Sequence, residues 1–199
     1  MQLSSNGLAG EATLSATVVR TPSARALAAG VAVAAAVALP QAAHVLGAAL
    51  GLGPAVGQVL LPMFLPVMAV GLLAGPASGL VAGALAPLVS FALTGMPAGP
   101  LSLLAMVPEV ATFGLACGLL ATKRLPWIAK VLVSEAAGIV VYAVVLALLA
   151  ALTGSAGVDV FGTVLSVART GLPGLVIQWV SLPLMMRVVT RAELHHGRD

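Results

Sequence analysis

Gln41, His44, Glu109 and Arg169 each interrupt a run of apolar residues, and Glu135 and Tyr142 interrupt another. A charge inside a bilayer span is energetically unfavourable, so an ionisable group there marks a ligand, proton or ion site by default. Glu109 lies about two turns into its run, at about 1.5 Å per residue, and Arg169 lies at a similar depth in the last run. Gln41 and His44 fall near the outer end of the first. In a six-span arrangement all four share the outward-facing third, which a water-accessible cavity open to the outside explains. The alternative for Glu109 and Arg169 is a structural pair that holds two helices together. His44 suits a capping or interface role equally well. Glu135 and Tyr142, seven residues apart, share one helix face nearer mid-membrane. They form the floor of the same cavity, or Glu135 is paired structurally.

Catalytic arrangements are missing from the sequence. There is no HExxH zinc helix, no paired Cys or His at metal-ligand spacing, and no GxSxG turn. Ser134-Glu135 has no accompanying histidine in its own run. The single cysteine, Cys117, excludes disulfide scaffolds and cysteine-ligated metal centres and reads as a small buried thiol. No phosphate-cradling loop is present, so any use of ATP belongs to a partner. The expectation is a chain that binds a small molecule rather than transforming it, with no catalytic residues, metal or cofactor of its own.

The elements that must position these residues are membrane helices. Of 199 residues, 60% are hydrophobic and 8% charged, against about 25% charged in soluble domains. A span takes roughly 20 apolar residues, so the chain is expected to hold about six or seven spans and no soluble catalytic domain. Gly and Pro punctuate the runs. Spans are expected from Arg25 to about Leu50, Val59 to Ala74, Ser78 to Leu93, Leu101 to Ala121, Trp127 to Leu152 and Val160 to Thr190. The last is expected to be interrupted at Gly171-Leu-Pro-Gly174. The first is too long for the core of a signal peptide. A membrane barrel would need alternating polarity and aromatic girdles, and only 4% of these residues are aromatic. The reading is an all-α membrane protein, a compact six-helix bundle over 23–191. A flexible N-terminal tail occupies 1–22, and a cytoplasmic C-terminal tail occupies 192–199.

Charge placement orients the bundle. Arg20 and Arg25 precede the first span, Lys123 and Arg124 separate the fourth and fifth, and Arg187, Arg191 and Arg198 lie at the end. With six spans all fall on one face, so both termini are expected in the cytoplasm. The net charge of +3 comes with no basic run, so no nucleic acid partner is expected. In the first span Ala24, Ala28, Ala32 and Ala36 recur every four residues, as do Ala26, Gly30, Ala34 and Ala38. Small residues at this spacing let helix backbones approach closely in lipid. A cavity outside and a docking stripe within the membrane suggest a subunit. The chain also lacks the two matched halves of many secondary carriers.

The order of several segments resembles the substrate-specific S components of energy-coupling factor (ECF) vitamin transporters. These are Gln41-Ala-Ala-His44, Leu61-Pro-Met-Phe-Leu-Pro-Val67, Ala74-Gly-Pro76, Gly79-Leu-Val-Ala-Gly83, Leu93-Thr-Gly-Met-Pro97 and Glu109-Val-Ala-Thr-Phe-Gly-Leu-Ala-Cys-Gly118. Gly171-Leu-Pro-Gly-Leu-Val-Ile-Gln178 and Leu182-Pro183 resemble the closing helix of that family. The resemblance implies a multi-pass protein of the cell inner membrane that binds a vitamin or related micronutrient from outside. It implies docking on a membrane coupling (T) subunit driven by two ATPase (A) subunits, with Ala24, Ala28, Ala32 and Ala36 at the coupling interface. Gln41, His44, Phe64, Thr94, Glu109, Tyr142 and Arg169 are then the expected substrate-binding residues, and Gly51-Leu-Gly-Pro54 a gate. Phe64 stands where relatives commonly carry histidine, and Gly138-Ile-Val-Val-Tyr142 lacks the arginine common after that glycine. Four Phe, two Trp and one Tyr leave few rings for a flavin or pterin, which favours an aliphatic cargo such as pantothenate. The competing reading is a self-sufficient carrier or channel with Glu109 as its proton or ion site. A small intramembrane enzyme is the third.

Overall fold

Proline, glycine and capping side chains set the helix limits. The computed structural model describes residues 19, 21–52, 56–97, 99–154 and 159–196, and every regular element among them is an α-helix. Helix α1 spans Pro22–Ala49, α2 Val56–Leu60, α3 Phe64–Ala74, α4 Pro76–Thr94, α5 Pro100–Ala121, α6 Trp127–Leu152 and α7 Val160–His196. Thr21 caps α1 by accepting from the Ala24 N–H at 3.3 Å, with Pro22 next, where its missing N–H is harmless. Pro76 and Pro100 open α4 and α5 in the same way. Asp159 precedes α7 and accepts from the Gly162 N–H at 2.9 Å. Gly95, at φ 72°, closes α4 in the left-handed region that glycine adopts without strain.

Five of the described helices, α1 and α4 to α7, are long and apolar enough to cross a membrane. The expected second span is not one continuous helix. Leu61-Pro62-Met63 breaks it into α2 and the 11-residue α3, which at about 1.5 Å per residue is about half of the roughly 30 Å hydrocarbon core. Proline disfavours helical backbone in the residue before it, and Leu61 adopts φ 46°. Buried at nearly every position, α3 is a core helix, apolar all round because it has no outward face. The last helix also departs from expectation. Gly171-Leu-Pro-Gly174 does not interrupt α7, which runs on to His196, beyond the boundary placed at 191. Of the expected N-terminal tail, residues 1–18 and 20 lie outside the described residues, as do Gly53, Pro54 and residues 197–199 at the C-terminus.

The core forms where α3 and α5 meet α4, α6 and α7. Val67, Met68, Leu72, Val110, Phe113, Cys117, Val131 and Leu182 pack there. Helices α4 and α5 approach closely: a Cβ on Gly79 would run into the Gly114 carbonyl, and one on Gly83 into the Val110 carbonyl. The outer surface carries Leu27, Val31, Leu85, Val144, Leu148 and Val180, all exposed. Such an apolar exterior suits lipid as solvent.

Contacts also order the two ends of the bundle. The Val19 N–H donates to the Leu73 carbonyl at 3.2 Å, and Gly118 packs against the Gly75-Pro76 turn. Lys130 Nζ donates to the Ala121 carbonyl at 2.7 Å and sits 3.9 Å over the Trp127 ring. The start of α1, the α3–α4 turn, the end of α5 and the start of α6 therefore gather at one end. His44, α2 and the α4–α5 connection lie toward the other.

Candidate functional site

At that second end a cavity of about 430 Å³ opens among the helices, within the range of small-molecule sites. Helix α1 contributes Pro40, Gln41 and His44, and α2 with its following turn contributes Gly57, Leu61 and Met63. Phe64 comes from α3 and Ser90 from α4, followed by Met96 and Pro97 of the connection. Ser102, Met106, Glu109 and Phe113 project from α5, Ile139 and Tyr142 from α6, and Thr170 and Leu175 from α7. The lining is mostly apolar with a few polar groups, the composition expected of a pocket for an organic molecule.

Helical spacing aims the α5 residues. Met106, Glu109 and Phe113 are three and four apart, so they stack on one face. Glu109 is 7% exposed, and among the described residues it has no hydrogen bond or ion pair. Tyr142 lies within its electrostatic reach. Phe64 and Phe113 meet edge to face, with centroids 4.9 Å apart at 62°. Three of the seven aromatic residues, Phe64, Phe113 and Tyr142, thus line one cavity. On the α1 wall the Gln41 amide nitrogen is buried and unpartnered among the described residues.

The α2 segment closes one side of the cavity. His44 packs over Gly57, where a Cβ would meet the imidazole. The α7 glycines that were expected to break the helix make room for this segment. Gly171 faces the Leu61 side chain, and Gly174 the Leu60 carbonyl. Gln178 Nε2 reaches the Leu61 carbonyl at 3.4 Å, which also accepts from the Phe64 N–H at 3.2 Å.

Of the expected binding residues, Gln41, His44, Phe64, Glu109 and Tyr142 line this cavity. Thr94 and Arg169 do not. Thr94, the last residue of α4, is exposed, and its hydroxyl donates to the Ser90 carbonyl at 2.7 Å and accepts from the Met96 N–H. Ser90, one turn earlier, takes the lining position. Arg169 is exposed and off the lining, and among the described residues no ion pair joins it to Glu109. Glu135 is 3% exposed and accepts from Trp179, so it belongs to a structural pair and not to the cavity floor.

The first alanine stripe also sits differently. Ala32 and Ala36 are 6% and 0% exposed, packed within this chain's own core, and Ala24 and Ala28 are half-buried. They dock α1 on its own neighbours, which corrects the expectation that Ala32 and Ala36 face a partner. Ala26, Gly30, Ala34 and Ala38, the second stripe, are exposed.

Several lining residues escaped sequence reasoning. Phe113 and Met106 carried a signal, being one turn either side of Glu109. Ser90, Met63 and Ile139 carried none, because nothing local distinguishes them from neighbouring core or lipid-facing residues. Comparison of the chain with family models, with curated proteins and with solved structures gives no match in any of the three.

Proposed function

We propose that this chain is the substrate-binding subunit of an ATP-driven importer of the energy-coupling factor type, an S component for a vitamin or related micronutrient. The observation that carries the reading is the cavity of about 430 Å³ at one end of a lipid-compatible bundle, with Glu109 as the one carboxyl among its described lining residues, which are otherwise mostly apolar or hydroxyl-bearing. The cargo enters from outside and is enclosed by α1, α2 and α5 to α7. Both termini are cytoplasmic, since Arg25, Lys123 and Arg124 belong to the end opposite the cavity. The helices α2 and α3 together take the place of the expected second span. Energy comes from a T subunit and two A subunits that hydrolyse ATP, reached through the exposed face of α1.

The second reading is a self-sufficient proton- or ion-coupled carrier. It is favoured by Glu109 facing the cavity without a cationic partner among the described residues. Reconstitution separates the two. The first reading expects uptake into liposomes only when T and A subunits and ATP are present. Uptake by the purified chain alone under a proton or sodium gradient would establish the second and overturn the first.

A further inference from the structure

The charge of the cavity wall restricts what can occupy it. Among the described lining residues Glu109 is the only acidic one, and none is a lysine or arginine. Of the chain's other described cations, Lys130 is held by the Ala121 carbonyl, Arg25 donates to the Val19 carbonyl at 3.0 Å, and Lys123, Arg124, Arg169 and Arg187 are off the lining. A carboxylate or phosphate cargo would sit beside the Glu109 carboxyl in a poorly solvated space, where the His44 imidazole is the one basic group among the described lining residues, and it would be tolerated only with Glu109 protonated. Like charges in such surroundings repel far more than in water.

A positive group meets the opposite situation. Glu109 offers a carboxyl that no protein donor occupies among the described residues, and a charge-assisted hydrogen bond to it is stronger than a neutral one. The rings of Phe64, Phe113 and Tyr142 line the same space, and aromatic faces attract desolvated cations. On the α1 wall the unpartnered Gln41 amide nitrogen can donate to an acceptor elsewhere on the molecule.

We propose, building on the binding-subunit reading, that the cargo carries a cationic nitrogen, a protonated amine or an aromatic or quaternary ammonium, seated against Glu109 among these rings. A hydroxyl or carbonyl of the cargo faces Gln41. This choice runs against an acid such as pantothenate, which ring count alone favours.

The test uses the full chain in detergent and a matched set of probes that share one ring: pyridoxamine, pyridoxine and 4-pyridoxate, carrying an amine, an alcohol and an acid. Thiamine and pantothenate add a cation and an anion of other skeletons. Thermal shift and calorimetry on the wild type are expected to rank cations above neutral analogues and to show no binding of the acids. Glu109→Gln is expected to weaken the best cationic probe by about 30-fold or more while leaving the neutral one within about threefold. The wild-type ranking stands even where that variant fails to fold. An acid bound more tightly than its amine overturns the inference, as does a cation whose affinity is unchanged in Glu109→Gln. Binding of neutral probes alone also overturns it but leaves the binding-subunit reading standing. No binding by any probe, with no small molecule co-purifying, overturns both.

Discussion

The indole Nε1 of Trp179 donates to Glu135 Oε2 at 2.6 Å, tying α7 to α6 about two turns from Tyr142. The other oxygen, Oε1, is buried with no partner among the described residues. The neighbouring Ser134 hydroxyl turns to the Lys130 carbonyl at 2.7 Å. The bond therefore satisfies the indole and half of the carboxyl at once, and it separates Glu135 from the cavity chemistry.

Trp179→Phe removes the donor and leaves the carboxyl unpaired in the core. Interhelical hydrogen bonds in membranes are worth about 1 kcal/mol, and for a chain of this size that lowers Tm by about 2–4 °C. Cargo affinity should stay within about twofold. A binding loss larger than about tenfold with Tm unchanged would return Glu135 to the binding site.

The α4–α5 contact makes a sharper demand. Gly79→Val and Gly114→Val should abolish recovery of monodisperse protein, because the added atoms meet backbone and not a movable side chain. Gly30→Val, where a Cβ meets nothing within 4 Å, should leave yield and Tm unchanged. Size-exclusion profiles in detergent read both outcomes.

The two lining absences can be checked against their neighbours. Arg169→Ala and Thr94→Ala should leave cargo affinity within about twofold, since both side chains are exposed away from the cavity. Ser90→Trp should reduce affinity by about 100-fold by filling it. Calorimetry with the best ligand from the probe panel measures all three.

The α1 stripes predict a split between folding and coupling. Ala34→Phe, on the exposed stripe, should spare binding and impair ATP-driven uptake in the reconstituted complex. Ala36→Phe, at 0% exposure in the core, should fail to fold. Full uptake by Ala34→Phe would remove that face from the coupling interface.

Much of this was legible in the sequence because glycine and proline act locally. The limits of α4, α5 and α6 fall within about two residues of those expected, and all but the Ala121 end of α5 lie within two residues of a Gly or Pro. Hydropathy could not separate α3 from a spanning helix, since a helix surrounded by protein is as apolar as one surrounded by lipid. Gly171 and Gly174 look like a helix break but serve close packing against Leu60 and Leu61, a relationship fixed by residues more than a hundred positions away. Arg169 shows a related limit. Its depth was readable from the run, but its rotation about the helix axis depends on how α7 packs. The ring count is limited in the same way. Few aromatics are present, yet three of the seven line the cavity.

The central claim is that the cavity holds a small molecule. Native mass spectrometry of the protein released from gentle detergent tests it most directly. The account predicts a one-to-one small-molecule adduct on the wild type that is lost in Ser90→Trp, or, where purification strips the ligand, the same adduct after incubation with the probe panel. A wild type that carries no adduct in either condition, or an adduct that persists in Ser90→Trp, would contradict it.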